Sequence, residues 1–311
     1  MSIISKPRVT AIVGPTASGK SDAAIQFCRA MNGEVVSMDA MQVYQGMRVG
    51  TARLEPDEWQ GITHHALAYV PPDTAYSVAE YARDTLVIID EILSRGKLPV
   101  LVGGTGLYLS AVRRPMRFAE TSADYAFREE LERLDNETIR VRLSSVDPQT
   151  AARLPVGDRR RMIRALEIAE TTGVPMSAWR DEPEERFDML VMGIDVPRDV
   201  LLKRIHLRTK SMLDAGLIDE VIFLLKHGLP PDAQSMQAIG YKETVRALAG
   251  HWPRETLLDA IEIRTRQYAK RQMTWLRRVD GILWFGGEEV AREMVEAACG
   301  LDHKVAATCN R

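Results

Sequence analysis

The chain has 311 residues, 45% of them apolar and 27% charged, and a formal net charge of −2. That is the profile of an ordinary globular protein large enough for one big domain plus a smaller one, or two domains. It excludes a uniformly basic nucleic-acid binder while permitting a local basic surface. The three cysteines, Cys28, Cys299 and Cys309, lie far apart without a C-x-x-C pair, so neither a disulfide framework nor a zinc site is indicated and a reducing, cytoplasmic setting fits.

No run nears the roughly 18 apolar residues of a membrane span, and Met1 to Thr10 lacks the apolar core of a signal peptide. The first element is an apolar run, Val9 to Val13, leading into Gly14-Pro15-Thr16-Ala17-Ser18-Gly19-Lys20-Ser21, which reads G-x-x-x-x-G-K-S. A helical pattern follows through Ala23, Ala24, Ile25, Phe27 and Cys28. Strand, glycine loop and helix in that order define a P-loop. Its backbone N–H groups converge on an anion at a helix N-terminus, Lys20 reaches the terminal phosphates, and the Ser21 hydroxyl suits Mg²⁺. The motif fixes a diphosphate or triphosphate ligand and leaves the chemistry open.

Glu34 to Asp39 reads as a second buried strand ending in an acid. Ligands of open α/β sheets gather at the carboxyl ends of strands, so Asp39 is expected in the crevice of the P-loop. His64 and His65 are adjacent, a poor spacing for sharing one metal, and are read as hydrogen-bonded structural residues. The stretch Ser77 to Arg95 admits two readings. Leu86 to Glu91 resembles a strand ending in Asp-Glu, which would give an ATPase its metal ligand at Asp90. Against it, Val78, Ala82, Leu86, Ile89 and Leu93 recur at helical spacing, Ser77 and Glu80 form a capping box, and Gly96 stands as a C-cap, so a helix is preferred. Pro99 to Val102 is a central strand. Gly103-Gly104-Thr105-Gly106 then leaves room for a ligand near the backbone and offers one hydroxyl.

From about Arg113 to Arg186 the chain becomes charged and poor in β-branched runs, with short helices predicted at Ser122 to Arg133, Asn136 to Ser144, Pro148 to Leu154 and Asp158 to Thr172. This reads as a helical insertion, residues 113–188, in an α/β core of residues 1–112 and 189–311. Within it Arg159 to Arg164 concentrates basic charge, which serves either a solvated face or phosphate contact. The sheet resumes at Asp188 to Val196. Helices follow at Arg198 to Ala215, Leu217 to His227, Met236 to Ala249 and from Pro253 onward. In the last, Ile261, Tyr268, Trp275, Leu276 and Val279 form an apolar stripe. Arg264, Arg271 and Arg278 edge it on one side and Arg266, Lys270 and Arg277 on the other. Gly281 to Gly287 reads as an edge strand, and a frayed terminus is expected from about Gly300.

Several of these stretches, with two more in the C-terminal half, match one family together. Gly14 to Ser21, Asp39-Ala-Met-Gln-Val-Tyr44, Gly103-Gly-Thr-Gly-Leu-Tyr108, Arg161-Met-Ile-Arg-Ala-Leu-Glu167, Ala238-Ile-Gly-Tyr-Lys-Glu243 and Thr265-Arg-Gln-Tyr-Ala-Lys-Arg-Gln-Met-Thr-Trp275 resemble the tRNA dimethylallyltransferases (isopentenyltransferases). The resemblance implies a P-loop NTPase-like α/β core, a mostly parallel sheet flanked by helices, and a small helical insertion domain contacting tRNA. It further implies transfer of the dimethylallyl group from dimethylallyl diphosphate to N6 of the adenosine just 3′ of the anticodon, with Mg²⁺ as cofactor and a monomeric enzyme. Asp39 then matches the family's catalytic carboxylate, Thr105 the threonine of the glycine turn, and Arg208 an arginine at the diphosphate. Gly14, Pro15, Thr16, Ala17, Ser18, Gly19, Lys20 and Ser21 would hold the diphosphate. Ala40, Met41, Gln42, Arg128, Arg160, Arg161, Met162, Ile163, Arg164, Arg266, Lys270 and Arg271 join Asp39 and Thr105 on the tRNA side. Ala40 departs from the Ser of many relatives, and the chain shows no zinc-finger extension of the eukaryotic type, so the resemblance is to the bacterial type. A small-molecule adenylate isopentenyltransferase and a P-loop kinase or nucleic-acid-dependent ATPase are the competing readings.

Overall fold

The apolar runs at Val9, Glu34, Pro99 and Asp188 all become strands of one sheet, seen in a computed structural model that describes residues 6–114, 125–179 and 184–309. In chain order the core elements are β1 (Arg8–Val13), α1 (Lys20–Met31), β2 (Gly33–Met38), β3 (His64–His65), α2 (Val78–Ser94), β4 (Leu98–Gly103) and α3 (Gly106–Arg113). The chain then forms α4 (Tyr125–Glu132), α5 (Asn136–Val146), α6 (Pro148–Arg153) and α7 (Arg159–Thr172). It returns through β5 (Asp188–Ile194), α8 (Arg198–Asp214), α9 (Leu217–Lys226), α10 (Tyr241–Leu248), α11 (Leu257–Leu276), β6 (Ile282–Phe285) and α12 (Val290–Cys309). Two compact units result, Met1–Arg113 with Arg186–Arg311, and Arg114–Glu185.

The sheet runs β3-β2-β4-β1-β5-β6, and every ladder is parallel. Burial on both faces explains why its strands read as continuous apolar runs rather than alternating ones. On one face Phe27 of α1 and Met294 of α12 pack with Ile12, Val35, Val100 and Met192. On the other, residues of α2, α3 and α8 to α11 pack with Val13, Val36 and Leu101. Because β4 lies between β2 and β1, Met38, Gly103 and Val13 stand in one register row. The next residue of each strand is Asp39, Gly104 or Gly14.

The helical reading of Ser77 to Arg95 holds. Ser77 caps α2, its Oγ accepting the Glu80 N–H at 3.2 Å while the Glu80 carboxylate accepts the Ser77 N–H at 2.7 Å. Asp90 and Glu91 lie exposed on that helix, so the strand-end metal ligand of a kinase or ATPase is absent there. The single helix expected over Met236 to Ala249 is instead split. A 3₁₀ turn at Ser235–Gln237 precedes α10, which restarts where the Glu243 side chain folds back to accept the Gly240 N–H at 2.8 Å. Likewise Pro253 opens a 3₁₀ turn, Arg254–Thr256, before α11. The terminus expected to fray from Gly300 is helical to Cys309, in a helix begun by Val290, Met294 and Ala298 packing on the sheet side that carries α1.

Edge strand β3 is tied down electrostatically. Glu34, 3% exposed, meets His65 Nε2 at 2.7 Å, Arg95 Nη2 at 2.7 Å and Lys97 Nζ at 2.8 Å. Burial alone would raise its pKa, but hydrogen bonds from Lys97, Arg95 and His65 outweigh it and hold the carboxyl at about 2. A carboxylate held below its unfolded value of 4.5 stabilises the fold above that pH, and the contribution is lost as pH falls from 4.5 through about 2. Glu34→Gln is therefore expected to cost on the order of 3 kcal/mol at neutral pH. Its acid-unfolding curve, followed by circular dichroism, should flatten between pH 4.5 and about 2; an unchanged curve would contradict this.

The smaller unit has its own core of Leu131, Ile139, Leu143, Met162, Ala165 and Leu166. Fully buried Glu167 is gripped by Arg128, at 2.7 and 2.8 Å, and by Arg164 at 2.6 Å. Arg161 pairs with Asp158 at 3.3 Å. The predicted helix start at Ser122 lies outside the described residues.

Candidate active site

The P-loop leaves β1 at Gly14 and enters α1 at Lys20, with Ala17 and Gly19 at φ 63° and 89° to wrap the chain. Lys20 Nζ curls back onto the Pro15 carbonyl at 2.6 Å and lies 3.5 Å from Ser18 Oγ. From α8, Arg204 donates to the Ser18 carbonyl at 3.2 Å. Burial, and then the Arg208 guanidinium, bring the Lys20 pKa down to about 7, with Asp39 pulling the other way. The Arg208 pKa is itself lowered by burial and supported by Asp39. Lys20 and Arg208 are thus close enough to repel one another, and each is drawn to Asp39. Such crowding favours a polyanion.

Asp39 begins the loop after β2. Its Oδ1 accepts the backbone N–H of Met41 at 2.8 Å and of Gln42 at 3.3 Å. Among the described residues no hydrogen bond reaches Oδ2, so one oxygen anchors the side chain and the other is left to accept a proton. Adjacent parallel strands lie about 4.8 Å apart, so Asp39 stands roughly 10 Å across the sheet edge from Gly14. Thr105 Oγ1, shielded from solvent, makes no well-formed hydrogen bond among the described residues, with the Tyr268 side chain beside it.

The three glycines of the β4 turn let the protein's own groups approach the backbone. A Cβ at Gly103 would lie 2.0 Å from the Met38 carbonyl oxygen, one at Gly104 2.1 Å from Gln272 Nε2, and one at Gly106 2.0 Å from the Trp275 ring. Met38, Gln272 and Trp275 thus occupy the positions that side chains at these residues would need. Gln272, which the sequence reading missed, also accepts the Thr16 N–H at 2.8 Å and so ties the P-loop to this turn. Tyr268, one turn earlier, has its pKa pushed up to about 12 by burial and by Asp39. A polar residue on the buried side of α11, beside Ala269 and Leu276, was the available signal for Gln272.

A small cavity of about 30 Å³ lies beside Ser21, Ser37, Gln42 and Val102. A larger one of about 410 Å³ is lined by residues that include Arg53, Trp59, His64 and Tyr69, and shares Leu54, His64 and Leu67 with the first. Neither is lined by Asp39. His64 Nδ1 contacts the Ile62 carbonyl at 2.8 Å, in line with the structural reading of the histidine pair.

Of the expected RNA contacts, Arg160, Arg161, Arg266, Lys270 and Arg271 are exposed. Met162 and Ile163 are not, being 0% and 7% exposed in the core of the smaller unit, and are withdrawn as contact residues. Arg128 and Arg164 are engaged by Glu167, and Arg266 by Glu262. The acid missing between Arg159 and Arg164 is thus supplied from either side, by Asp158 and Glu167.

A wholly parallel sheet with a P-loop after its first strand defines an α/β protein of the P-loop class. The model of the IPP transferase family matches residues 42–279. The tRNA dimethylallyltransferase of Oceanobacillus iheyensis is 43% identical over 286 residues, covering 90% of this chain and 91% of its own, and that of Heliobacterium modesticaldum is 43% identical over 289 residues, covering 91% and 90%. Among solved structures, the full-length tRNA isopentenylpyrophosphate transferase of Bacillus halodurans superposes with a TM-score of 0.75 at 37% identity, covering 98% of this chain and 100% of that one. A eukaryotic dimethylallyltransferase acting on tRNA gives 0.78 at 30% identity, covering 90% and 74%. The chain belongs to the IPP transferase family.

Proposed function

We propose that the protein transfers the dimethylallyl group of dimethylallyl diphosphate to N6 of the adenosine immediately 3′ of the anticodon in tRNA and releases diphosphate. The observation that carries this reading is the Asp39 carboxylate, anchored through Oδ1 with no hydrogen bond to Oδ2 among the described residues and within electrostatic reach of Lys20 and Arg208. An exocyclic adenine amine is a weak nucleophile because its lone pair is delocalised into the ring. As its nitrogen bonds to C1 of the allyl group, the C1–O bond to diphosphate breaks and the N6 proton passes to Asp39. Lys20, Arg208 and the P-loop amides stabilise the charge gathering on the leaving diphosphate. Thr105, its hydroxyl unspent, orients the base or the bridging oxygen. A base inside a stack cannot reach this acid, so the adenosine must flip out.

Mg²⁺ fits the donor set. Among the described residues no cluster of three or more His, Cys, Asp or Glu could cage a metal, whereas Mg²⁺ commonly sits on substrate phosphates and water with one or two protein oxygens. Ser21, exposed in the first turn of α1, is the protein oxygen in place. When bound, the ion neutralises part of the diphosphate charge.

Arg160 and Arg161 of α7, with Lys270 and Arg271 of α11, supply phosphate contacts to tRNA, and Arg266 joins them on exchanging its Glu262 partner for a phosphate. One chain holds every residue that the reading uses, so a monomer suffices for it. No helix among the described residues is long and apolar enough to cross a membrane. Offered tRNA and free AMP side by side with dimethylallyl diphosphate, the protein should prenylate tRNA alone; prenylation of AMP would favour the small-molecule isopentenyltransferase reading.

A further inference from the structure

The motif Ala238 to Glu243 and the loop Gly46 to Thr51 lie outside the chemistry described so far, yet the structure joins them. Tyr241, fully buried, donates its hydroxyl hydrogen bond to Glu220 Oε1. Glu220 in turn accepts three successive backbone N–H groups, those of Arg48 at 3.0 Å, Val49 at 2.8 Å and Gly50 at 3.2 Å. Consecutive amides around a carboxylate form an anion nest, which rigidifies the loop and spreads the charge of the acid over its dipoles. The Tyr241 ring lies so close to Gly50 that a Cβ there would be 2.3 Å from it.

The far end of the clamped loop enters the active site. Thr51 Oγ1 donates to the Met47 carbonyl at 2.7 Å, and the Thr51 carbonyl accepts from Arg208 Nη2 at 3.0 Å and from Gln42 Nε2 at 3.3 Å. Gln42 also donates its backbone N–H to Asp39. A carbonyl fixes the direction of a guanidinium without neutralising it, whereas a carboxylate in the same place would spend its charge. We infer that Glu220 and Tyr241 are positioning residues: by clamping residues 48–50 they set the Thr51 carbonyl, and through it aim Arg208 at the diphosphate. This rests on the reading of Arg208 given above.

The test measures binding of inorganic pyrophosphate, with magnesium, by calorimetry, alongside a separate assay of prenyl transfer to tRNA. Tyr241→Phe removes only the hydroxyl, and Glu220→Gln turns a donor toward the loop amides. Each is expected to weaken pyrophosphate binding about tenfold, with circular dichroism and melting close to those of the parent protein. Glu220→Gln added to Arg208→Ala should weaken binding no further than Arg208→Ala alone, because both act through one guanidinium. If Glu220→Gln fails to fold, Tyr241→Phe carries the test. Hydrogen exchange at Arg48 to Gly50 should quicken in both variants. Faster exchange with pyrophosphate binding within about twofold of the parent would reduce the clamp to a structural brace and overturn the inference. So would multiplying effects of Glu220→Gln and Arg208→Ala. Pyrophosphate binding that follows the expected pattern while no prenyl group reaches tRNA would support the clamp and refute the proposed reaction.

Discussion

Asp39→Ala is expected to lower prenyl transfer to tRNA by about 10³-fold to 10⁴-fold, the upper range for a general base, while pyrophosphate affinity stays within a few fold. The separation follows from how the side chain is held. Oδ1 is committed to the Met41 and Gln42 amides, so the loop depends on one oxygen and the chemistry on the other. Asp39→Asn sharpens the test. Its amide oxygen can keep both backbone bonds, yet it takes up no proton, so its loss of rate should match that of alanine with the loop intact. Single-turnover kinetics with dimethylallyl diphosphate and unmodified tRNA measure the rate, and calorimetry with pyrophosphate measures binding. Transfer near the parent rate in Asp39→Asn would remove Asp39 as the base.

Lys20→Met is expected to cost about 10³-fold in kcat/KM, comparable to losing a preorganised charge stabiliser, and to weaken pyrophosphate binding as well. The pH dependence gives an independent signature. In the free protein burial and Arg208 hold Lys20 at about 7; a diphosphate beside it must raise that value, because opposite charge favours the protonated amine. Between about 7 and the raised value, binding takes up a proton, and affinity falls as pH rises through this window. Calorimetry in buffers of different ionisation enthalpy measures the uptake, and ionisation of pyrophosphate itself is common to all variants. Lys20→Arg keeps its charge throughout and should show a shallower slope. Equal slopes in Lys20→Arg and the parent protein would contradict the assignment.

What could be read from the sequence were features carried by local chemistry. The P-loop needs its glycines and lysine at fixed spacing, and the capping box of Ser77 and Glu80 settled a helix that composition alone left open. Strand-end logic put Asp39 on the edge that carries the P-loop, and the register of Met38, Gly103 and Val13 shows why. Long-range partners were not legible. Gln272 reaches Thr16 across the fold, and Glu220 reaches the Arg48 to Gly50 amides; no periodicity reports which distant backbone a polar side chain will find. The neighbours of the glycine turn were hidden for the same reason, since Gln272 and Trp275 arrive from a helix far along the chain. Met162 and Ile163 fell inside a basic motif but on its buried face, a distinction that a motif written as a string does not make.

The most direct measurement incubates the purified protein with unmodified tRNA and dimethylallyl diphosphate labelled in the allyl group, then digests the tRNA to nucleosides. Label is expected on N6 of a single adenosine next to the anticodon, matched one for one by released diphosphate and abolished in Asp39→Asn. Unlabelled tRNA, or phosphate released from ATP in place of prenyl transfer, would contradict the proposed reaction.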